Sequence, residues 1–403
     1  MGGRTDGTVA RRRVFYIPGY DPIHPRRYRE LYRKEGRAQA EISGYELSLH
    51  PRTGQPGYGW HVAARIEGAK VETEVEVLVW SDIVRDSMAQ GILATYGQLV
   101  RTAWTYGATG ALWRLMRLRK GPVIAALYPV AMLLAQLAVA LLAAWALGAA
   151  LARAIAPWAA PAGLAVIWPL LAWFKKQDGR LFAYYLMHDY AFSARWRGAN
   201  PPALEARLRA FADRIGEALT EDWDEVLVVG HSSGAHLAVS VLADLVRAGR
   251  VPANGPALGF LSLGQVVPMV SFLPAADRLR ADLAYLSERD DLTWVDVTAP
   301  GDGCAFALCD PVAVSGVAGP GKRWPLVISA AFTQTLSPAR WRELRWRFFR
   351  LHFQYLCAFD RPGDYDYFRI TAGPRTLAAR FAGRRPSRSR IERALSKYTS
   401  RAA

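Results

Sequence analysis

The sequence predicts an α/β protein, a mostly parallel sheet flanked by helices, with a transmembrane helical hairpin inserted into it. Three observations carry that prediction. Glu225 to Val229 is a short, β-branched, apolar run of the kind buried on both faces of a sheet, and Ala235 to Arg247 has the 3.6-residue apolar period of a helix. The strand therefore turns into a helix within the five residues Gly230-His231-Ser232-Ser233-Gly234. Other apolar runs of strand length alternate with amphipathic segments along the chain, and from Gly121 to Ala152 there is no charge at all.

Taken in order, Val14 to Ile17 reads as a strand running into the turn Pro18-Gly19-Tyr20-Asp21-Pro22. Tyr28 to Ala40 reads as a helix, and Tyr45 to Leu49, His61 to Ile66 and Val71 to Trp80 as further strands. The alternation of acid and apolar residues in the last of these suggests an edge-like strand that becomes buried toward its end. Asp82 to Leu118 is mostly helical and rich in Tyr, Trp and Arg; Trp104, Tyr106, Trp113 and Arg117 suit either interfacial anchoring or core packing.

Two uncharged spans follow, roughly Pro122 to Leu147 and Ala159 to Phe174, separated by a loop around Arg153. About twenty apolar residues cross a bilayer's hydrocarbon, so the first span is long enough with margin and the second is just long enough. Arg114, Arg117, Arg119 and Lys120 before the pair and Lys175 and Lys176 after it put both ends on the cytoplasmic side. The expected location is thus the inner membrane, with two passes and the bulk of the chain facing the cytoplasm. The amino end carries charge without the apolar segment of a signal peptide.

Beyond the hairpin, Leu181 to Arg197 and Pro202 to Leu219 read as helices, the second opening at a proline. Leu258 to Leu263, Leu292 to Val297 and Pro325 to Ala330 are the later strands, and a helix-like segment begins near Ser337. Four regions result: residues 1–120 with the early strands, 121–175 with the hairpin, 176–374 with the later strands, and a basic tail at 375–403. About half of the 403 residues, 51%, are apolar, which fits a well-filled core with something extra that the uncharged spans supply.

The turn Gly230-His231-Ser232-Ser233-Gly234, with a strand before it and a helix after it, is the G-x-S-x-G pattern, and here the chain resembles the α/β-hydrolase family. The resemblance implies that Gly230 and Gly234 allow a tight elbow, that Ser232 is the nucleophile, and that the amide of Ser233 forms half of an oxyanion hole. It also implies a second amide from the loop after an early strand. The matching position is Tyr20, although the loop begins Pro-Gly where familiar versions begin His-Gly, and a plain β-turn is the other reading. The family's chain order of serine, acid, histidine leaves His236 and His352 as candidate bases. His236, one turn along the elbow helix, is expected to point away from the apex, so His352 is the choice. Asp302, on a Gly turn beyond a strand end, is the first choice of acid, with Asp296 and Asp310 behind it.

The net charge of +16 agrees with a membrane surface. Arg375 to Arg401 and the cluster Arg11 to Arg13 are basic, and such clusters are drawn to anionic headgroups. No nucleic-acid recognition motif is present, so nucleic acid is not an expected partner. Cys304, Cys309 and Cys357 show no paired spacing, so neither a disulfide framework nor a zinc site is suggested. No metal or organic cofactor is expected. The resulting expectation is a membrane-anchored serine esterase, lipase or thioesterase acting on hydrophobic acyl compounds. An acyltransferase using the same residues, or a silent membrane scaffold of the same fold, are the alternatives; uncharged spans offer a channel no ion path unless they oligomerise.

Overall fold

In the computed structural model, which describes residues 7–52, 54 and 57–402, eight strands form one sheet. In chain order they are β1 (Arg11–Ile17), β2 (Glu46–Pro51), β3 (Tyr58–Ile66), β4 (Ala69–Val77), β5 (Glu225–His231), β6 (Ala257–Leu263), β7 (Thr293–Thr298) and β8 (Leu326–Ser329). Their spatial order is β2-β3-β4-β1-β5-β6-β7-β8. β2, β3 and β4 pair antiparallel, and every pairing from β4 to β8 is parallel. The first strand of the chain therefore lies mid-sheet, between β4 and β5. Its composition fits that place, since every residue of β1 after Arg11 is buried.

Alternate residues of the central strands feed two cores. Phe15, Ile17, Val226, Val228 and Phe260 face one side, with the helices Pro202–Ala218, Ser233–Arg247 and Asp277–Ser287. Val14, Tyr16, Leu227, Val229 and Leu261 face the other, with α1 (Arg26–Ser43) and the segment from Leu344 to Phe381. This two-sided burial is what a parallel sheet requires of its strands.

The acidic alternation of β4 does not mark an edge: β4 is an interior strand. Glu74 and Glu76 meet Arg13 of the neighbouring β1, and Glu76 also takes Arg52 at 3.0 Å and Arg214 at 3.2 Å. Cross-strand neutralisation lets these carboxylates stay inside the sheet. The same fact corrects the reading of Arg11 to Arg13 as a surface cluster. Arg12 and Arg13 are buried, Arg12 against Glu225 at 2.6 Å, and Arg11 pairs with Asp222. The basic tail is also not simply solvated. Ile391 bridges to Cys309, the amide of Leu395 donates to the carbonyl of Val314, and Arg375 and Arg380 pair with Glu67.

The region before the hairpin forms α2 (Ser81–Met88), α3 (Ile92–Ala108) and α4 (Ala111–Leu118). Of its aromatics, Tyr106 is buried and donates to the carbonyl of Met269, whereas Trp104 and Trp113 are exposed. α5 (Lys120–Ala154) then runs for 35 residues and returns through a 3-10 segment, Pro157–Val166, and α6 (Ile167–Lys176). The outgoing and returning segments are each long and apolar enough to cross a membrane. Only 22% and 17% of their most apolar windows are buried, which separates them from a core helix. Ala140, Ala144 and Gly148 form a buried stripe along α5. A Cβ on Gly148 would sit 2.6 Å from the Ala160 carbonyl oxygen, and one on Gly163 would sit 2.3 Å from that of Ala144. The two backbones touch through small residues, the packing that apolar surroundings favour between helices. After the short α7 (Asp178–Leu181), α8 (Ala183–Arg195) and α9 (Pro202–Ala218) lead to β5 and to α10 (Ser233–Arg247).

Candidate active site

The turn from β5 into α10 is strained where the chemistry would be. Ser232 has φ 56° and ψ −122°, a conformation that costs an L-residue energy and persists only when its surroundings impose it. The constraints are visible. The Ser232 amide donates to the Leu263 carbonyl of β6 at 2.9 Å. A Cβ on Gly230 would lie 2.7 Å from the Gly234 carbonyl oxygen, and one on Gly234 would lie 2.0 Å from that of Ile17. No side chain fits at either shoulder. Ser233 opens α10, so its amide belongs to the unsatisfied first turn of a helix.

The register of β1 on β5 sets Ile17 beside Gly230, which carries the loop Pro18-Gly19-Tyr20 to the elbow. A Cβ on Gly19 would be 3.0 Å from the Ser232 Cβ. Side chains from outside hold this loop. Trp80 donates to the Pro18 carbonyl at 2.9 Å, Tyr185 donates to the Tyr20 carbonyl at 2.5 Å, and the Tyr20 hydroxyl meets Ser87 Oγ at 2.5 Å.

Asp302 and His352, fifty residues apart, meet at 2.7 Å between Oδ2 and Nδ1. Asp302 follows the end of β7 on a turn in which its amide donates to the Ala299 carbonyl. His352 ends the short helix Phe348–His352, so the helical pattern leading up to it is real but stops there. Asp302 is buried, which by itself raises a carboxyl pKa. The charge and hydrogen bond of His352, the Cys304 amide at 2.9 Å and the Tyr355 hydroxyl at 3.0 Å outweigh burial and hold it below the ordinary carboxylate value. The two other acids lie elsewhere. Asp296 accepts from Ser262 Oγ inside the sheet at 2.6 Å, and burial pushes it up to about 8. Asp310 caps the helix Pro311–Val314 and pairs with Lys322 at 2.6 Å.

Ser232, Ser233, Gly19, Tyr20 and His352 all line one cavity of about 450 Å³. His236, expected to point away from the apex, lines this cavity as well as a smaller one beside Ser240 and Arg278. Its pKa falls to about 4 through burial, which makes it a poor proton acceptor at neutral pH. Three neighbours of these residues carry no such signal in the sequence. Tyr355 bridges the Ala299 amide and Asp302. His231 donates Nε2–H to the His352 carbonyl at 3.0 Å, its rings 4.9 Å apart, and burial with the nearby His352 lowers its pKa to about 3, so it is neutral at pH 7. Asp189 of α8 lines the same cavity, and burial, opposed only by His352, raises it to about 7. Apolar surroundings in α8 give no sequence signal for such a carboxyl.

Asp302, Cys304 and His352 have ligand atoms within 4.8 Å of one another, close enough to meet a metal ion. The donor set fits one poorly. Both Asp302 oxygens are already used by protein donors, and burial, then Asp302 and Asp189, push the Cys304 thiol well up, away from the thiolate a metal needs. No family model, no curated protein and no solved structure matches this chain.

Proposed function

We propose that this chain is a serine hydrolase of the α/β-hydrolase fold, tethered to the membrane by the hairpin at 121–175, which cleaves ester or thioester bonds of hydrophobic acyl compounds. One observation carries the reading: a strained serine at a strand-to-helix elbow shares a cavity with a histidine whose Nδ1 is held by a buried, ionised carboxylate. That combination has a use in nucleophilic catalysis and none in packing.

In the proposed reaction Ser232 Oγ attacks the acyl carbonyl while His352 Nε2 accepts its proton, and the tetrahedral oxyanion takes hydrogen bonds from the amides of Ser233 and Tyr20. Collapse expels the alcohol or thiol, which receives the proton from His352. Water then repeats the sequence on the acyl-enzyme and frees the acid. Asp302 keeps the Nδ1 proton in place and steadies the imidazolium; Tyr355 and the Cys304 amide hold Asp302 for that task. The hairpin's exposed apolar faces and its flanking Lys and Arg residues support anchoring in the inner membrane with the sheet on the cytoplasmic side.

Fluorophosphonate labelling of the detergent-solubilised protein tests this reading. The wild type is expected to label, and Ser232→Ala and His352→Ala are expected not to. A folded wild type that takes no label, with no turnover of any acyl ester, would overturn it.

A further inference from the structure

A second and larger cavity takes no part in the reaction above. It encloses about 920 Å³ at the root of α5, at the upper end of the 300–1,000 Å³ typical of ligand sites. Ile124, Ala125 and Tyr128 of α5 line it, together with Trp346 and Phe348. Phe182, Leu186, Tyr190, Cys304, Phe349 and Arg350 line both this groove and the catalytic cavity, so only side chains separate the two.

The partition is aromatic and strained. The Phe182 and Phe349 ring centroids are 5.2 Å apart. Phe182 has φ 52°, in the left-handed region that bulky residues avoid, yet the residue is 40% exposed rather than sealed in a core. Strain of about 1–3 kcal/mol at such a residue is tolerated where the geometry serves a site. The outer lip is apolar and open as well: Trp346 is 72% exposed and Ile124 60%.

We infer that this groove is the acyl-chain site of the enzyme and that its substrate is a long-chain lipid ester drawn from the bilayer, with the chain along α5 and the ester reaching Ser232 past Phe182 and Phe349. The inference rests on the hydrolase reading above. The occupant follows from continuity: the helix that walls the groove is the one that runs on as the first membrane-length span, so a chain sliding along it stays in apolar surroundings. Arg347 and Arg350 on the rim stand where a polar head would remain in water.

Turnover by the full-length protein of butyryl and palmitoyl glycerol esters in vesicles, and of the matching acyl thioesters in solution, decides the matter. The wild type is expected to prefer the palmitoyl ester by roughly tenfold or more in kcat/KM, as burial of additional methylenes predicts. Ile124→Trp and Ala125→Trp, which fill the groove from α5, are expected to bring that ratio toward unity, whereas Leu134→Trp, on the outward face of the same helix, keeps it. Ile124 is exposed, so its replacement does not strain the fold. An active wild type indifferent to chain length, groove variants that keep the preference, or palmitoyl thioester consumed faster than the vesicle ester would each overturn the inference. A wild type that cleaves no ester and takes no fluorophosphonate would instead sink the hydrolase reading beneath it.

Discussion

Asp302 is the residue whose replacement separates chemistry from folding most cleanly. Asn in its place keeps the shape but offers His352 the wrong partner for Nδ1–H, so kcat is expected to fall by about three to four orders of magnitude while circular dichroism and melting stay near wild type. Asp189 behaves in the opposite way. Its pKa in the fold, about 7, lies above the ordinary carboxylate value, so the folded state holds a proton that the unfolded state releases. Stability is therefore complete below the ordinary value and is lost as pH rises toward 7. Asp189→Asn, which mimics the neutral acid, is expected to gain about 2 kcal/mol over wild type at pH 8 and nothing at pH 4, after allowance for the residue's partial contact with solvent. Denaturation at the two pH values measures this, and equal stability of the two proteins at pH 8 would contradict it. At this scale the serine, the histidine and the acid were legible because their types and chain order are chemically demanding. Tyr355, His231 and Asp189 were not, because a tyrosine, a turn histidine and a helix aspartate have many ordinary uses.

Two elements owe their form to contacts that a linear pattern disguises. β4 looks like an edge strand because Glu72, Glu74 and Glu76 fall at every second position, yet β1 beside it brings Arg13, and Arg52 and Arg214 complete the neutralisation. The companion pair Arg12 and Glu225 is buried where β1 meets β5, and Glu225 also accepts from the Leu377 amide at 2.5 Å. Removing one member of a buried pair strands the other, so Glu225→Ala is expected to cost about 3–5 kcal/mol in chemical denaturation. The hairpin depends on small residues instead. Leu at Gly148 cannot coexist with the Ala160 backbone at its present distance, and Gly148→Leu is expected to splay the hairpin, lowering the melting temperature in detergent by several degrees. An unchanged melting temperature would mean that the two segments do not pack as described. The returning segment was legible as apolar and short, but not as 3-10 up to Val166; Pro157 and Pro161 each remove a backbone donor there, and Gly163 lies flush on Ala144.

At the scale of the whole molecule, much of the exposed apolar surface lies on α3, α5 and the returning segment. Leu134, Leu142 and Trp145 on α5 and Trp158 and Trp168 on the return are exposed, as are Leu93, Val100 and Trp104 on α3. So much apolar area facing water would drive association of a free protein. The proposed anchoring is expected to survive an alkaline carbonate wash, leaving the chain in the membrane pellet. Recovery in the supernatant would count against the spans. The positive charge, read from composition as a surface property, is partly an internal one, since Arg12, Arg13 and Arg280 are buried and engaged.

The sequence by itself determined the α/β class, the two membrane-length segments, and the elbow with its serine. Each rests on local regularities, namely apolar period, length without charge, and glycine spacing around a strained turn, and these act over a few residues whatever the rest of the chain does. Only the tertiary structure decided that β1 lies mid-sheet, that Asp302 rather than Asp296 or Asp310 meets His352, and that the root of α5 opens a groove beside the cavity that Ser232 lines. Those outcomes depend on strand order and on side chains that meet across fifty to two hundred residues, and nothing in a local pattern encodes which distant partner will satisfy a buried charge or leave a cavity unfilled.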